Sequence, residues 1–210
     1  MLREIRKQYE IASLNESEAE KSPFMQFRKW LGDALKSAES EPTAMIVSTV
    51  DENLQPHARV VLLKEFDEKG LVFFTNYESN KAQQISVNNQ VAVLFFWQSL
   101  ERQVRITGKV EKVPEQVSVD YFNSRPLDSR IGAYASPQSR IIESKNFLEK
   151  RFEEVKLQFG ENVPKPAQWG GYLIQPETYE FWQGRPNRLH DRLFYKKSAT
   201  GEWEFVRLAP

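Results

Sequence analysis

Two hydrophobic periodicities divide the chain. Residues 1–21 are polar and charged and predict a mobile arm or a frayed helix. Ser22-Pro23 then opens a helix, with Ser22 at the N-cap and Pro23 at the first helical position. Phe24, Phe27, Leu31, Ala34 and Leu35 follow at helical spacing. From Thr43 the period shortens. Thr43–Val50, His57–Lys64 and Leu71–Asn76 are strand-like, and the turns at 51–53 and 67–70 predict an antiparallel meander. Ser79–Ile85 predicts a short helix, and Gln90–Trp97 and Gln103–Val113 two further strands. Pro114–Ser124 and Asp128–Tyr134 predict short helices broken at Arg125-Pro126. Ser139–Phe159 predicts a long helix with Leu148, Phe152, Val155 and Phe159 on one stripe and Gly160 as its stop. The chain then returns to strands at Gly171–Gln175, Tyr179–Gln183, Leu189–Lys196 and Trp203–Leu208. The pattern reads as mainly β with packed helices, an α+β barrel. Residues 22–210 form its single domain and residues 1–21 an appended arm.

Composition narrows the function classes. The 210 residues suit one domain, and 40% hydrophobic with 12% aromatic residues are enough for a core. Lys+Arg and Asp+Glu both number 29, so the chain lacks the basic excess of a sequence-independent nucleic-acid binder. The absence of cysteine removes disulfides, thiolate nucleophiles and cysteine–metal sites and fits a cytoplasmic protein. His57 and His190 are the only histidines, so no His-rich metal site is expected. No G-x-G-x-x-G or P-loop motif occurs. The longest apolar run, Val91–Trp97, is strand-sized, and the first residues have no apolar core of a secretory signal. Neither a membrane span nor export is expected.

Several segments carry possible chemistry. In Arg188-Leu189-His190-Asp191-Arg192, a strand puts Arg188, His190 and Arg192 on one face. Such a row is either an exposed face paired with carboxylates or, beside the aromatic Glu180-Phe181-Trp182-Gln183, a place for a planar anionic ligand. Arg59–Lys64 places four aliphatics between two cations. It reads as a core strand with snorkelling ends or as one wall of a ligand groove. Phe74-Thr75-Asn76 followed by Ser79-Asn80-Lys81 is a strand end meeting a helix start, either a plain cap or a phosphate cradle. Tyr121, Arg125 and Ser129 recur at offsets of four. They can grip a phosphate across two helices, or Arg125 can simply face solvent at a corner. Ser136-Pro137-Gln138-Ser139-Arg140 is a helix start rich in hydrogen-bonding groups.

Together these segments resemble the pyridoxine/pyridoxamine 5′-phosphate oxidase family, from about Arg6 to the terminal Arg207-Leu208-Ala209-Pro210. The most specific part is Glu180-Phe181-Trp182-Gln183 followed by Arg188-Leu189-His190-Asp191-Arg192. Arg59–Lys64, Glu101-Arg102-Gln103 and Ser124-Arg125-Pro126 agree in order and spacing. The resemblance implies an FMN-binding split β-barrel and a homodimer with FMN at the subunit interface. The implied reaction is oxidation of pyridoxine or pyridoxamine 5′-phosphate by oxygen. It further implies a flavin pocket of Arg59, Val60, Val61, Leu62, Leu63, Lys64, Phe74, Thr75, Lys81, Gln103, Gln138, Ser139, Trp182 and Arg192, with Asn80 beside the phosphate. The implied substrate contacts are Lys64, Tyr121, Arg125, Ser129, Arg188 and His190, the last two at the reacting end. Arg6 and Tyr9 match a segment that closes over the site in the family. One position departs: Asn80 stands where the family commonly has arginine, which implies weaker hold on the flavin phosphate. The alternatives are another flavin enzyme on this barrel, such as a phenazine-pathway oxidase or an F420-dependent reductase, or a non-catalytic flavin-, haem- or pyridoxal phosphate-binding protein.

Overall fold

The computed structural model describes residues 2–4 and 7–210; Arg6 therefore lies outside the described residues. Among the described residues five α-helices and nine strands follow in the order α1 (Pro23–Lys36), β1 (Ala44–Val50), β2 (Pro56–Leu62), β3 (Glu65–Asp67), β4 (Gly70–Asn76), α2 (Asn80–Val87), β5 (Gln90–Trp97), β6 (Arg102–Lys112), α3 (Glu115–Ser124), α4 (Leu127–Ala135), α5 (Lys145–Phe159), β7 (Trp169–Gln183), β8 (Asp191–Lys197) and β9 (Trp203–Arg207).

All strand pairs are antiparallel, in the order β2-β1-β5-β6-β7-β4-β3, with β8 on β7 and β9 on β8. The meander expected over the first strands is broken. β1–β2 and β3–β4 are hairpins, but the other edge of β4 pairs with β7 and not with β2. The two strands expected at 171–175 and 179–183 are one 15-residue strand, β7, with a bulge opposite Thr107/Gly108. Pro176, which cannot donate to a ladder, sits at that irregularity. β7 pairs with the whole of β6 over Tyr172–Gln183. Its other edge is taken by β4 over Trp169–Ile174 and then by β8 over Thr178–Gln183, so the sheet divides there.

The main core lies between α1 and the sheet. Phe27 packs 5.1 Å from Phe95 and Trp30 5.3 Å from Phe181, all fully buried or nearly so. The helix face differs from the expected one at three residues. Leu35 is 59% exposed, while Trp30 and Gln26 are buried. Gln26 is buried because its Oε1 accepts the Glu20 N–H at 2.9 Å. A second cluster of Phe122, Ile131, Ala135, Val155, Val163 and Trp169 holds α3, α4 and α5 together. The long helix begins at Lys145, not Ser139. Ser144 is its N-cap, accepting the Phe147 N–H at 3.3 Å, and Ser139 has a left-handed backbone (φ 68°) that a helix does not continue.

The stretch ahead of α1, expected as a mobile arm, is bound at several points. Leu14 is buried, and its N–H donates to Asp191 Oδ2 at 3.0 Å. Arg207 forms a bidentate pair with Glu16, and Tyr195 Oη donates to the Glu20 carbonyl at 2.8 Å. These partners are far away in sequence, so a polar stretch gave no local sign of them.

Candidate active site

A cavity of about 700 Å³ opens where β2, β4, α2 and the α3–α4 corner meet. Val60, Val61, Leu62 and Lys64 form one wall, Phe74, Thr75 and Lys81 the floor, and Tyr121, Arg125, Ser129 and Gln138 the rest. The strand end explains the polar floor. Asn76 Oδ1 accepts the Glu78 N–H at 2.7 Å and Ser79 Oγ donates to the Asn76 carbonyl at 2.7 Å, turning the chain tightly into α2. Lys81 is thereby aimed back at the strand. Its Nζ donates to Thr75 Oγ1 and Gln138 Oε1, both at 3.0 Å, and to Ser79 Oγ at 3.2 Å. Burial, aided by the nearby Arg59 charge, lowers the Lys81 pKa to about 8. An ammonium whose hydrogen-bond partners among the described residues are all neutral can take an anion as its counter-ion.

Part of the lining is aromatic. Phe74 stacks on Tyr121 with ring centres 3.9 Å apart and planes 15° from parallel, and on Trp169 at 5.5 Å and 10°. Gly171 permits this: a Cβ there would come 2.8 Å from the Phe74 ring. Arg125 lies over Trp169, 5.0 Å from the ring centre. Its Nη1 is buried with no hydrogen-bond partner among the described residues, and burial lowers its pKa. An unpaired buried guanidinium nitrogen is costly, and a phosphate oxygen on it would remove the cost.

Not every expected residue joins this cavity. Leu63 is 4% exposed in the main core. Arg59 lies outside the lining and spends its guanidinium on the Val47 carbonyl, Thr49 Oγ1 and Gln84 Oε1, at 3.0, 2.6 and 3.0 Å. It reaches the floor as a charge acting on Lys81. Asn80 and Ser139 are exposed and outside the lining. Conversely, Trp169 was missed. The signal was available: Trp169-Gly170-Gly171 joins a large ring to two residues without side chains.

A second cavity, about 540 Å³, holds Tyr9, Trp182, Arg188 and His190, joined by Lys7 and Arg185. The Arg188–His190–Arg192 row expected on one strand face does not exist as such. β8 starts at Asp191, and Arg188 lies in a turn of 3-10 helix (Pro186–Arg188) with Asn187 and Arg188 both left-handed, φ 57° and 63°. Pro186 and the polar Asn187 favour that turn over a strand. Arg188 and His190 nevertheless share the cavity, while Arg192 is turned to Glu180 Oε1 at 2.8 Å and the Ala209 carbonyl at 2.7 Å. The His190 ring lies 4.6 Å from Trp182 and 5.7 Å from Tyr9. Its Nδ1 accepts the Arg185 N–H at 3.1 Å, so in the neutral ring the proton is on Nε2. Partial burial and then the Arg188 charge lower the His190 pKa.

Gln103, Trp182 and Arg192 form one row across β6, β7 and β8 and therefore share a face. The row is far from the first cavity. Phe74 pairs with Gly171, and Trp182 lies 182 − 171 = 11 residues further along β7. At strand rise that is roughly 35 Å of contour. Among the described residues no group of three or more His, Asp or Glu could hold a metal, and no helix is long and apolar enough to cross a membrane.

Comparison with known proteins places this geometry. Residues 31–159 match the family model "Pyridoxamine 5′-phosphate oxidase", and residues 169–210 match "Pyridoxine 5′-phosphate oxidase C-terminal dimerisation region". A protein of Cupriavidus pinatubonensis named pyridoxine/pyridoxamine 5′-phosphate oxidase is 51% identical over 209 residues, covering 100% of this chain and 99% of its own. One of Burkholderia thailandensis with the same name is 52% identical over 211 residues with the same coverage. Among solved structures, PhzG from Burkholderia lata, in complex with tetrahydrophenazine-1-carboxylic acid, superposes with a TM-score of 0.89. It is 24% identical and covers 95% of this chain and 99% of its own. A pyridoxamine 5′-phosphate oxidase-related, FMN binding protein of Nostoc punctiforme has a TM-score of 0.75 at 16% identity, over 90% of this chain and 98% of its own. These two structures share the fold.

Proposed function

The chain belongs to the pyridoxine/pyridoxamine 5′-phosphate oxidase family, and from that premise we infer that it is an FMN-dependent oxidase converting pyridoxine or pyridoxamine 5′-phosphate to pyridoxal 5′-phosphate. The observation that carries the reading is the first cavity. It holds a buried, unpaired Arg125 nitrogen and a separate half-buried ammonium, Lys81, together with the stacked Phe74 and Tyr121 rings. Two phosphates and flat rings fit that donor set.

The flavin phosphate falls to Lys81, Thr75 and Gln138, with Arg59 adding charge from behind. The substrate phosphate falls to Arg125, Tyr121, Ser129 and Lys64. The chemistry supplied by bound FMN is acceptance of two electrons from the substrate carbon attached to C4 and their return to oxygen, giving hydrogen peroxide. The amine substrate becomes an imine, and water releases it as aldehyde and ammonia. The chain's own residues bind, orient and exclude water. Arg188 and His190 meet the reacting end, and the neutral His190 presents the Nε2 proton there.

The dimerisation region makes the protein a homodimer. Each site draws the first cavity from one subunit and the Trp182–Arg188–His190 cluster from its partner. The contour of roughly 35 Å between the two clusters supports this, being much longer than one flavin. Val60 and Phe96, 61% and 50% exposed, are apolar surface that a partner covers. Residues 22–210 form one folded unit carrying residues 1–21 as an arm. Phosphorylated substrates do not cross membranes unaided, which supports a cytoplasmic setting.

The test is the visible spectrum of the purified protein under anaerobic addition of pyridoxamine 5′-phosphate. The flavin band bleaches, and oxygen restores it with release of peroxide. A bound flavin that stays oxidised would falsify the reaction, and a scattering mass near one 24.6 kDa chain with FMN bound would overturn the shared site.

A further inference from the structure

One buried carboxylate has no part in the site described above. Glu101 lies at the β5–β6 turn with a left-handed backbone (φ 55°) and 2% exposure. Its side chain reaches the N-terminal segment. Oε2 accepts the N–H groups of Glu10 and Ile11 at 2.8 and 3.2 Å, and Oε1 meets Lys7 Nζ at 3.2 Å. Its carbonyl accepts the Gly184 N–H at 2.7 Å and Gln183 Nε2 at 3.2 Å, tying the same residue to the end of β7. Tyr9 sits between these two anchorages, its ring centre 5.7 Å from both Trp182 and His190. Gly184 makes the room, since a Cβ there would come 2.7 Å from Tyr9 Cγ.

A buried carboxylate is costly unless partners compensate it, and here the compensation comes from a segment with no helix or strand of its own. That segment has few other means of holding its course, so the dependence runs both ways. We propose that Glu101 is a positioning residue: by fixing residues 7–11 it seats Tyr9 against Trp182 and His190 and so closes the substrate end of the site. The proposal rests on the assignment of Trp182, Arg188 and His190 to that end.

The test is a double-mutant cycle on the FMN-loaded dimer with Glu101→Ala and Tyr9→Ala. Its readouts are kcat and KM for pyridoxamine 5′-phosphate and amide exchange of Glu10 and Ile11. Glu101→Ala speeds exchange of the two amides and raises KM about tenfold, while FMN stays bound and β1 amides exchange as before. Glu101→Gln keeps one accepting oxygen and falls between. Tyr9→Ala raises KM to a similar degree, and the double variant is no worse than Tyr9→Ala alone. Additive losses, or faster exchange with unchanged KM, overturn the proposal. Should Glu101→Ala give no FMN-loaded dimer, Glu101→Gln with Tyr9→Ala runs the same cycle. A wrong site assignment shows differently, because Tyr9→Ala alone then leaves KM unchanged.

Discussion

The Arg125 guanidinium lies 5.0 Å from the centre of the Trp169 ring, and its buried Nη1 has no hydrogen-bond partner among the described residues. The ring favours the cation without using its N–H groups, which stay free for a phosphate. A cation–π contact of this partly buried kind is worth about 1 kcal/mol. Trp169→Phe should therefore raise KM for pyridoxamine 5′-phosphate by about threefold, and Trp169→Leu by more, with FMN content unchanged. Steady-state kinetics beside the flavin absorbance decides it. An unchanged KM in Trp169→Leu would show that the ring only fills space.

Arg188→Ala should harm substrate use and leave FMN in place. Arg188 shares its cavity with His190 and Tyr9, and its side chain is exposed, with no hydrogen bond or ion pair to it among the described residues. Losing a charge-assisted contact costs roughly 1.5–3 kcal/mol, or about ten- to a hundredfold in kcat/KM. Wild-type kinetics in the variant would remove Arg188 from the reacting end.

The elements were legible because their signals are local. Gln90–Trp97 is a strand-sized apolar run flanked by polar residues, and the observed β5 has those bounds. Tyr121, Arg125 and Ser129 recur every four residues, and the α3–α4 corner brings all three to one cavity. What stayed hidden depends on distant partners. The pairing of β4 with β7 joins residues about a hundred apart and leaves no mark in either strand. Arg188 and His190 did meet, but through a left-handed turn rather than strand alternation. Glu101 gave no sign of its role, because its partners are some ninety residues away.

Asn80→Arg should tighten FMN binding. Asn80 is exposed at the first position of α2, next to Lys81, and carries no charge. A long cation there can swing over the cavity mouth, but through water. The gain is on the order of 1 kcal/mol, about fivefold in Kd, and shrinks as salt rises. FMN titration of the apoprotein at low and high salt measures it. Equal affinity at low salt would show that the position points away from the phosphate.

Lys81 makes FMN binding depend on pH in a direction that can be worked out. Burial and Arg59 lower its pKa to about 8, well below the 10.5 of a free lysine. Between these values the unfolded chain holds a proton that the folded apoprotein has released. In that window stability contributed by Lys81 rises with pH, whereas below about 8 the charged amine is a standing cost. A phosphate dianion reverses the balance, since it favours the ammonium and lifts the pKa again. FMN should therefore bind with proton uptake near pH 8.5, and its Kd should weaken as pH rises through that region. Below pH 7, Lys81 is charged before FMN arrives and takes up nothing. Calorimetry in two buffers of different ionisation enthalpy reads the uptake directly. Lys81→Met binds FMN more weakly and loses this pH dependence. Uptake that persists in Lys81→Met would assign the proton to another group and take Lys81 out of the phosphate site.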